Sequence, residues 1–207
     1  MKLTEKITEA IKKLRESSKK RKFDQTFDMI INLKELDVKK EGKINEEVVL
    51  PHGSGSESKV AIFSDSIKSV DGSEVYNSSD VNEIVNNKRL GKRLAKDTEF
   101  FLAEPKLMSV VGKAMGQTLA PKGKMPKIFT GDPKAMVQNL RKSIRVKIKD
   151  SPVIQCVVGK ESMDDKQLTE NINAVLKHLE AKLPKGRANI GVVLLKMSMS
   201  KPLKLEL

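Results

Sequence analysis

The sequence predicts an α+β outer domain, with an antiparallel sheet and two helices, that is interrupted by an inserted three-layer α/β domain. The first and last thirds of the chain alternate apolar and polar residues, as half-buried strands do, and each carries an amphipathic helix. The middle third instead alternates short, wholly apolar strands with helices. A Pro-, Gly- and Ser-rich segment at 51–59 separates the first two patterns. We therefore assign residues 1–57 and 144–207 to the outer domain and residues 58–143 to the inserted domain.

The first third predicts one helix and two strands. Apolar residues recur on one stripe of a helix at 4–20, and Thr4 is the expected N-cap. Residues 26–34 have an apolar residue at every second position, which is typical of a strand with one buried face. The charged residues 35–47 predict a turn-rich excursion before a short strand at 47–50.

The middle third predicts parallel strands joined by helices, because short apolar runs and helical segments alternate along it. The expected elements are strands at 60–63 and 75–76, a helical segment at 79–96 broken near Gly91, a strand at 100–103, and helices at 107–115 and 132–142. The residues expected to face inward from the broken segment are Val81, Ile84, Val85, Leu90 and Leu94.

The last third predicts strands around one long helix. Residues 144–149 and 153–158 are expected to form a β-hairpin. Ser162 and Asp165 have the spacing of a capping box and are expected to open the helix. The remaining expectations are a loop at 183–191, a strand at 192–199 with Met199 on its apolar face, and an alternating segment at 203–207.

The composition favours a polyanionic partner and disfavours several other classes of protein. The chain has 207 residues and a formal net charge of +13, which favours nucleic acid as the partner. Aromatic residues make up only 3%, so recognition of folded RNA fits better than serial stacking of single-stranded bases. The single cysteine, Cys156, excludes an intramolecular disulfide and lies in an apolar run. A polar start and the absence of a long apolar run predict a cytoplasmic protein without membrane contact.

A run of cations precedes the first strand. Lys19, Lys20, Arg21 and Lys22 lead into Phe23, at the point where the strand is expected to begin. A strand is a rigid support, so these side chains could be held out in fixed positions to grip RNA. They fit a solvated basic turn equally well, and the residues alone leave both interpretations open.

A second basic segment, GKAMGQTLAPKGKMP at 112–126, is punctuated by glycines and contains Lys113, Lys122 and Lys124. A glycine-rich basic loop can cradle phosphates, and a solvated flexible tip is the equal alternative. The spacing of a nucleotide-binding P-loop is absent. Neither a catalytic triad nor metal-ligand spacing is present, so we expect no enzyme activity, cofactor or metal. The alternatives kept open are a nucleotide-dependent enzyme in the inserted domain and a general polyanion-binding chaperone.

Several separate motifs, in the same order along nearly the whole chain, resemble the family of large-subunit ribosomal protein one, the protein of the mobile lateral stalk. The ending Met-x-Lys-Pro is more similar to the archaeal and eukaryotic branch than to the bacterial one. The motifs are RKFDQTFDMIINLK (21–34), VVLPHGSGSESKVAIF (48–63), FLAEPKLMSVVGKAMGQTLAPKGKMP (101–126), VVGKESMDDKQLTENINAVL (157–176) and KMSMSKP (196–202).

The resemblance implies a ribosome-associated protein, monomeric when free, whose outer domain binds large-subunit ribosomal RNA at the stalk. It also implies repression through its own messenger RNA and a part in release of exit-site transfer RNA. The implied RNA-binding residues are Lys22, Phe23, Asp24, Thr26, Gly159, Lys160, Ser162, Ser198, Met199, Ser200, Lys201 and Pro202, with secondary contacts from Lys113, Lys122 and Lys124. Ser200 departs from the family pattern, which has glycine there, and glycine admits backbone conformations that serine resists.

Overall fold

The computed structural model describes residues 3–36, 45–148 and 151–205. Most of the predicted charged excursion, together with Lys149, Asp150 and Leu207, lies outside the described residues. The chain divides into two compact units. The outer unit comprises Met1–Ser56 and Lys142–Leu207, and the inserted unit comprises Glu57–Arg141.

The described residues form helices and strands in an order close to the predicted one. In chain order they are α1 (Leu3–Ser17), β1 (Thr26–Leu33), β2 (Asn45–Val49), β3 (Val60–Phe63), β4 (Ser73–Tyr76), α2 (Ser78–Asn86), α3 (Lys88–Asp97), β5 (Phe100–Ala103), α4 (Pro105–Leu119), β6 (Lys127–Ile128), α5 (Lys134–Arg141), β7 (Ser143–Lys147), β8 (Val153–Lys160), α6 (Asp165–Lys182), a 3₁₀ helix (Gly186–Asn189), β9 (Ile190–Met197) and β10 (Leu203–Leu205).

The outer unit is built on an antiparallel sheet in the order β10-β9-β1-β8. Phe27, Met29 and Ile31 of β1 are fully buried, as the alternating pattern predicted, because every second side chain points to the same face. Apolar residues of α1 and α6 pack in the same core as these side chains. Because both helices are amphipathic, each buries its apolar stripe in this core and removes it from water.

The predicted hairpin of 144–149 with 153–158 is wrong. β7 pairs with β2 in a separate antiparallel ladder in which Ile144 lies opposite Val48. β8 pairs instead with β1, where Cys156 lies opposite Met29. The prediction failed because alternation shows which face a strand buries but not which strand lies beside it.

Helix boundaries in the outer unit also differ from the predicted ones. Because α1 begins at Leu3, Thr4 lies inside the helix, where its carbonyl accepts a hydrogen bond from the Thr8 hydroxyl at 2.9 Å. Asp164, not Ser162, is the N-cap of α6, and its backbone N–H donates to the Gln167 side chain at 3.3 Å. Ser162 has a different partner, described below.

The segment after β2 is attached to α6 by a buried amide. Asn171 is completely buried, and its Nδ2 donates to the carbonyls of Gly53 and Val158 at 2.8 and 2.9 Å. Its Oδ1 accepts the backbone N–H of His52 at 3.2 Å. Gly53 has φ of 67°, a left-handed conformation that glycine adopts without strain. One side chain therefore satisfies three backbone groups that would otherwise be left unpaired.

The inserted unit has a parallel sheet in the order β4-β3-β5-β6. Alternate residues of β3 and β5 enter two different cores, so both faces of the sheet are covered. Ala61 and Phe63 pack with residues of α2, α3 and α4, whereas Val60 and Ile62 pack with residues of α5. The prediction of a mixed chain that contains an antiparallel and a parallel sheet is confirmed, and the β2-β7 ladder is a second, two-stranded antiparallel sheet.

The helical break in the inserted unit lies at Asn87, not near Gly91 as predicted. The Asn87 backbone N–H donates to the Glu83 carbonyl at 2.8 Å, and its side-chain oxygen accepts from the N–H of Arg89 at 3.2 Å. Gly91 is instead inside α3, where an added Cβ would lie 3.1 Å from a methyl group of Ile84. Glycine at this position therefore permits close packing of α3 on α2.

Two residues of this region do not face the core as predicted: Val85 and Leu90 are 45% and 38% exposed. No helix among the described residues has the length and apolar character required to cross a membrane.

Candidate nucleic-acid interface

Three segments that are distant in sequence meet at one end of the antiparallel sheet. β1 begins at Thr26, and its two neighbours, β8 and β9, run antiparallel to it and end at Lys160 and Met197. The start of one strand therefore lies beside the ends of two others. We call the residues that cluster here, Lys22–Thr26, Gly159–Ser162 and Ser198–Pro202, the strand-end surface.

Hydrogen bonds join β1 to the turn that follows β9. The Ser198 N–H donates to the Thr26 carbonyl at 3.0 Å, and the Thr26 N–H donates to the Ser198 hydroxyl at 3.1 Å. The hydroxyl of Ser198 is thus engaged with the backbone of β1. β9 ends at Met197, so Met199 lies in the following turn and not on the apolar strand face as predicted.

Gln25 links all three segments. Its side chain is 1% exposed; Oε1 accepts the N–H of Met199 at 3.4 Å, and Nε2 donates to the Glu161 carboxylate at 3.3 Å. Its backbone carbonyl also accepts the N–H of Glu161 at 2.7 Å. A buried amide therefore holds the turn after β9 and the turn after β8 against the start of β1.

Asp24 and Ser162, both predicted to contact RNA, bind each other. The Asp24 carboxylate accepts the Ser162 N–H at 3.0 Å and the Ser162 hydroxyl at 2.8 Å. This pair replaces the capping box predicted for Ser162. Both residues are exposed, so the pair shapes the surface while remaining accessible.

Arg15 of α1 holds the turn between β8 and α6 in place. Its guanidinium donates to the carbonyls of Glu161 and Met163 at 2.7 and 2.6 Å and to the Asp165 carboxylate at 2.9 Å. The same group lies 5.5 Å from the centre of the Phe27 ring, a cation–π arrangement. The guanidinium has five N–H donors in a fixed plane, which suits a turn that presents three acceptors in fixed positions.

The strand-end surface presents cations and two large apolar side chains to solvent. Phe23 is 53% exposed and Met199 is 63% exposed. Single exposed apolar side chains are common on protein surfaces, so these two matter here only because they lie on segments that also carry cations. The exposed cations in and beside the surface are Lys19, Lys20, Arg21, Lys22 and Lys201.

Gly159 is part of this region but is buried. A Cβ added there would lie 2.4 Å from a methyl group of Leu168 and 2.9 Å from the Met163 sulfur. Its position therefore demands glycine for packing. Lys160, the next residue, is half-buried, and its side-chain stem lies against Gly55.

Ser200 occupies its turn without backbone strain. Among the described residues other than glycine, only Glu35 has a positive φ, so position 200 does not require glycine. The Ser200 hydroxyl accepts the N–H of Met197 at 2.8 Å, and its own N–H donates to the Met197 carbonyl at 3.0 Å. Serine thus supplies a hydrogen bond that glycine would lack.

The glycine-rich segment at 112–126, for which the sequence leaves a phosphate-binding loop and a solvated tip equally open, is helical up to Leu119, so Gly112 and Gly116 lie inside α4. Lys113 is exposed on that helix, and Lys122 is exposed in the turn after it. The Lys124 side chain is only 14% exposed, and its amino group donates to the Thr98 carbonyl at 2.7 Å. Lys124 is therefore held inside the inserted unit, which argues against a secondary RNA contact there.

The described residues contain no group of three or more His, Cys, Asp or Glu side chains that could hold a metal ion. Burial, with a smaller contribution from Asp28, raises the pKa of the Cys156 thiol to about 12. The thiol therefore stays protonated at neutral pH, as expected for a core cysteine.

Comparison with known proteins identifies the class to which this chain belongs, that of ribosomal proteins. The model of the ribosomal protein L1p/L10e family matches residues 11–201, and the chain belongs to that family. The chain is 40% identical over 205 residues to the large ribosomal subunit protein uL1 of Methanothermobacter thermautotrophicus, which covers 95% of this chain and 97% of that protein.

Other archaeal relatives give the same result. The uL1 proteins of Methanocaldococcus jannaschii and Pyrococcus horikoshii are 38% and 37% identical, each over 98% of this chain, covering 95% and 96% of those proteins. The predicted resemblance to the archaeal type is confirmed. The chain is thus a large-subunit ribosomal protein, which supports its predicted association with the ribosome and with ribosomal RNA and is consistent with a structural, non-enzymatic role.

The sequence analysis missed Gln25 and Arg15. Gln25 carried a usable signal, because it stands two residues before Phe27 and so falls on the inward face of β1, where a polar side chain needs a buried partner. Arg15 carried none, because a cation in the last turn of a helix ordinarily interacts with the helix terminus. Its true partners lie about 150 residues away in sequence.

Proposed function

We propose that the strand-end surface binds folded large-subunit ribosomal RNA at the base of the lateral stalk. The observation that carries this proposal is that Phe23 and Met199 are both exposed on two segments that the Gln25 side chain joins by a hydrogen bond, with a run of cations preceding Phe23. Cations can neutralise phosphates, while an aromatic ring and a thioether can pack on a base or sugar.

The proposed contacts differ among the predicted residues. Lys22, Phe23, Met199 and Lys201 are exposed and are proposed to touch RNA directly. Thr26, Ser198 and Gly159 are engaged in the protein frame, and we propose that they position the surface. Asp24, Lys160, Ser162, Ser200 and Pro202 complete the proposed surface.

Three further proposals extend this function. Residues 1–57 and 144–207 would act as the RNA-binding domain, with 58–143 as a separately folded inserted domain, in a protein that is monomeric when free. A stem in the protein's own messenger RNA that resembles the ribosomal site would bind the same surface and repress translation. On the ribosome, the protein would aid release of exit-site transfer RNA as part of the mobile stalk.

The test replaces the exposed thioether. Met199→Ala should weaken binding to a stalk-base fragment of ribosomal RNA by about 1–3 kcal/mol, roughly 5- to 150-fold, because it removes a specific packing contact. Met125→Ala is the matched control, since Met125 is also exposed, at 42%, but lies in the inserted unit. Affinity would be measured by filter binding at one fixed salt concentration. Equal effects of the two substitutions would contradict the assignment of Met199 to the RNA surface.

A further inference from the structure

Helix α3 of the inserted unit carries a row of cations that the strand-end surface does not include. The members of this α3 cation row, all exposed, are Lys88, Arg89, Lys92 and Lys96. At about 100° of rotation per residue, the four positions fall within an arc of about 100°. The buried residues of the helix occupy a different arc, and they are Gly91, Leu94 and Ala95.

No described residue compensates the charges of this row. Within the part of the chain that the structure describes, none of the four side chains forms an ion pair or a side-chain hydrogen bond. Arg93, the remaining cation of the helix, differs from them. Its Nε lies 3.6 Å from Asp97, and it lines a groove that also contains Asp80 and Glu83.

The row is electrostatically unfavourable for the helix itself. Lys92 is four residues from both Lys88 and Lys96, and like charges at that spacing repel. Lys88 and Arg89 also occupy the first turn, where the positive end of the helix dipole disfavours cations. An anion bound along this face would relieve both penalties, and the N-terminal dipole would attract it further.

We propose that the α3 cation row binds the phosphate backbone of double-helical RNA, without reading base sequence. The helix is about 15 Å long, and a duplex presents a phosphate charge for about every 1.7 Å of its axis, so several phosphates lie within reach. The row contains no aromatic side chain on which an unpaired base could stack. Because the chain belongs to a ribosomal protein family, we expect RNA to be close to it. None of the residues of the row belongs to the strand-end surface.

The experiment compares two triple variants of the full chain. Lys88→Gln, Lys92→Gln and Lys96→Gln remove three charges from the row, and the control makes the same change at Lys68, Lys106 and Lys134, which are exposed elsewhere in the inserted unit. The probe is a short blunt RNA duplex of random sequence, and its affinity is measured over a series of salt concentrations. The row variant should lower the slope of log K against log salt by about two to three, because each phosphate contact contributes roughly 0.7–0.9.

Three outcomes would overturn the inference. The first is an equal loss of slope in the control variant, since the net charge of the protein would then explain the salt dependence without a specific site. The second is competition by polyglutamate as effective as that of the duplex at matched charge. The third is loss of slope in a Lys→Arg triple at the same positions, which keeps the charges. The row variant should melt no lower than the parent, because its substitutions remove repulsion.

Different measurements test the α3 cation row and the strand-end surface, so one assignment can be wrong while the other holds. Met199→Ala should weaken binding of the stalk-base fragment but leave the salt slope for the random duplex unchanged. If the fragment binds Met199→Ala normally while the duplex slope still depends on the row, the strand-end assignment is wrong and the α3 site stands.

Discussion

Gln25 offers a direct test of whether the strand-end surface is held in place before RNA binds. Its amide joins the turns that carry Met199 and Glu161 to the start of β1. Gln25→Met keeps the length and approximate volume of the side chain and removes both hydrogen bonds. The backbone hydrogen bond from Glu161 to the carbonyl of residue 25 remains.

The expected magnitude follows from the geometry. A net hydrogen bond contributes about 0.5–1.5 kcal/mol, and at 3.4 and 3.3 Å both bonds belong at the weak end of that range. Met199 and Glu161 lie at the surface, where water can replace the lost partner, so no large desolvation penalty is added. We expect the free energy of unfolding to fall by about 1 kcal/mol. If RNA must reorder the loosened turn, affinity should fall by the same amount, about fivefold.

The measurement pairs urea denaturation with binding to the stalk-base RNA fragment. Gln155→Met is the control, because Gln155 is exposed on β8 and undergoes the same chemical change. Lower stability with unchanged affinity would refute the claim that Gln25 preorganises the RNA surface. Parent-like behaviour in both assays would show that the two hydrogen bonds contribute nothing.

Two further substitutions test the outer unit. Asn171→Ala should lower its free energy of unfolding by about 3 kcal/mol, because three backbone groups lose a fully buried partner. The control, Asn173→Ala on the same helix, should change it by less than about 0.5 kcal/mol. Similar losses from both substitutions in urea denaturation would contradict the role of Asn171. Ser200→Gly should cost about 1–2 kcal/mol of stability by removing the hydroxyl that accepts the Met197 N–H and by freeing the backbone, and Ser200→Ala separates the two effects. A severalfold gain in RNA affinity on Ser200→Gly would show instead that the serine side chain obstructs the contact.

The elements that were predicted well carry strong local signals. The alternation in β1 and the apolar stripe of α6 depend only on neighbouring residues, because a strand repeats every two residues and a helix every 3.6. The errors arose where a distant residue decided the outcome. β7 pairs with β2 and not with β8. Ser162 forms its hydrogen bond with Asp24, although its spacing to Asp165 is that of a helix capping box.

The role of a glycine also depends on residues that are distant in sequence. The segment that contains Gly116 was considered as a phosphate-binding loop because glycine is permissive, but α4 continues through it to Leu119, beyond the predicted end at Met115, and buries both Met115 and Leu119. Gly159 was expected to contact RNA, and its position in fact excludes any side chain because Leu168 and Met163 occupy the space. Glycine alone does not reveal which of these reasons applies.

The sequence by itself determined the family, the mixed architecture and the excess of positive charge, because ordered motifs, local periodicity and composition do not depend on long-range contacts. Only the tertiary structure decided which residues form the frame of the candidate surface. Gln25 and Arg15 act there through partners that are more than 130 residues away. The antiparallel pairing of β1 with β8 and β9 brings the partners of Gln25 within hydrogen-bonding distance, and the packing of α1 and α6 in one core does the same for Arg15.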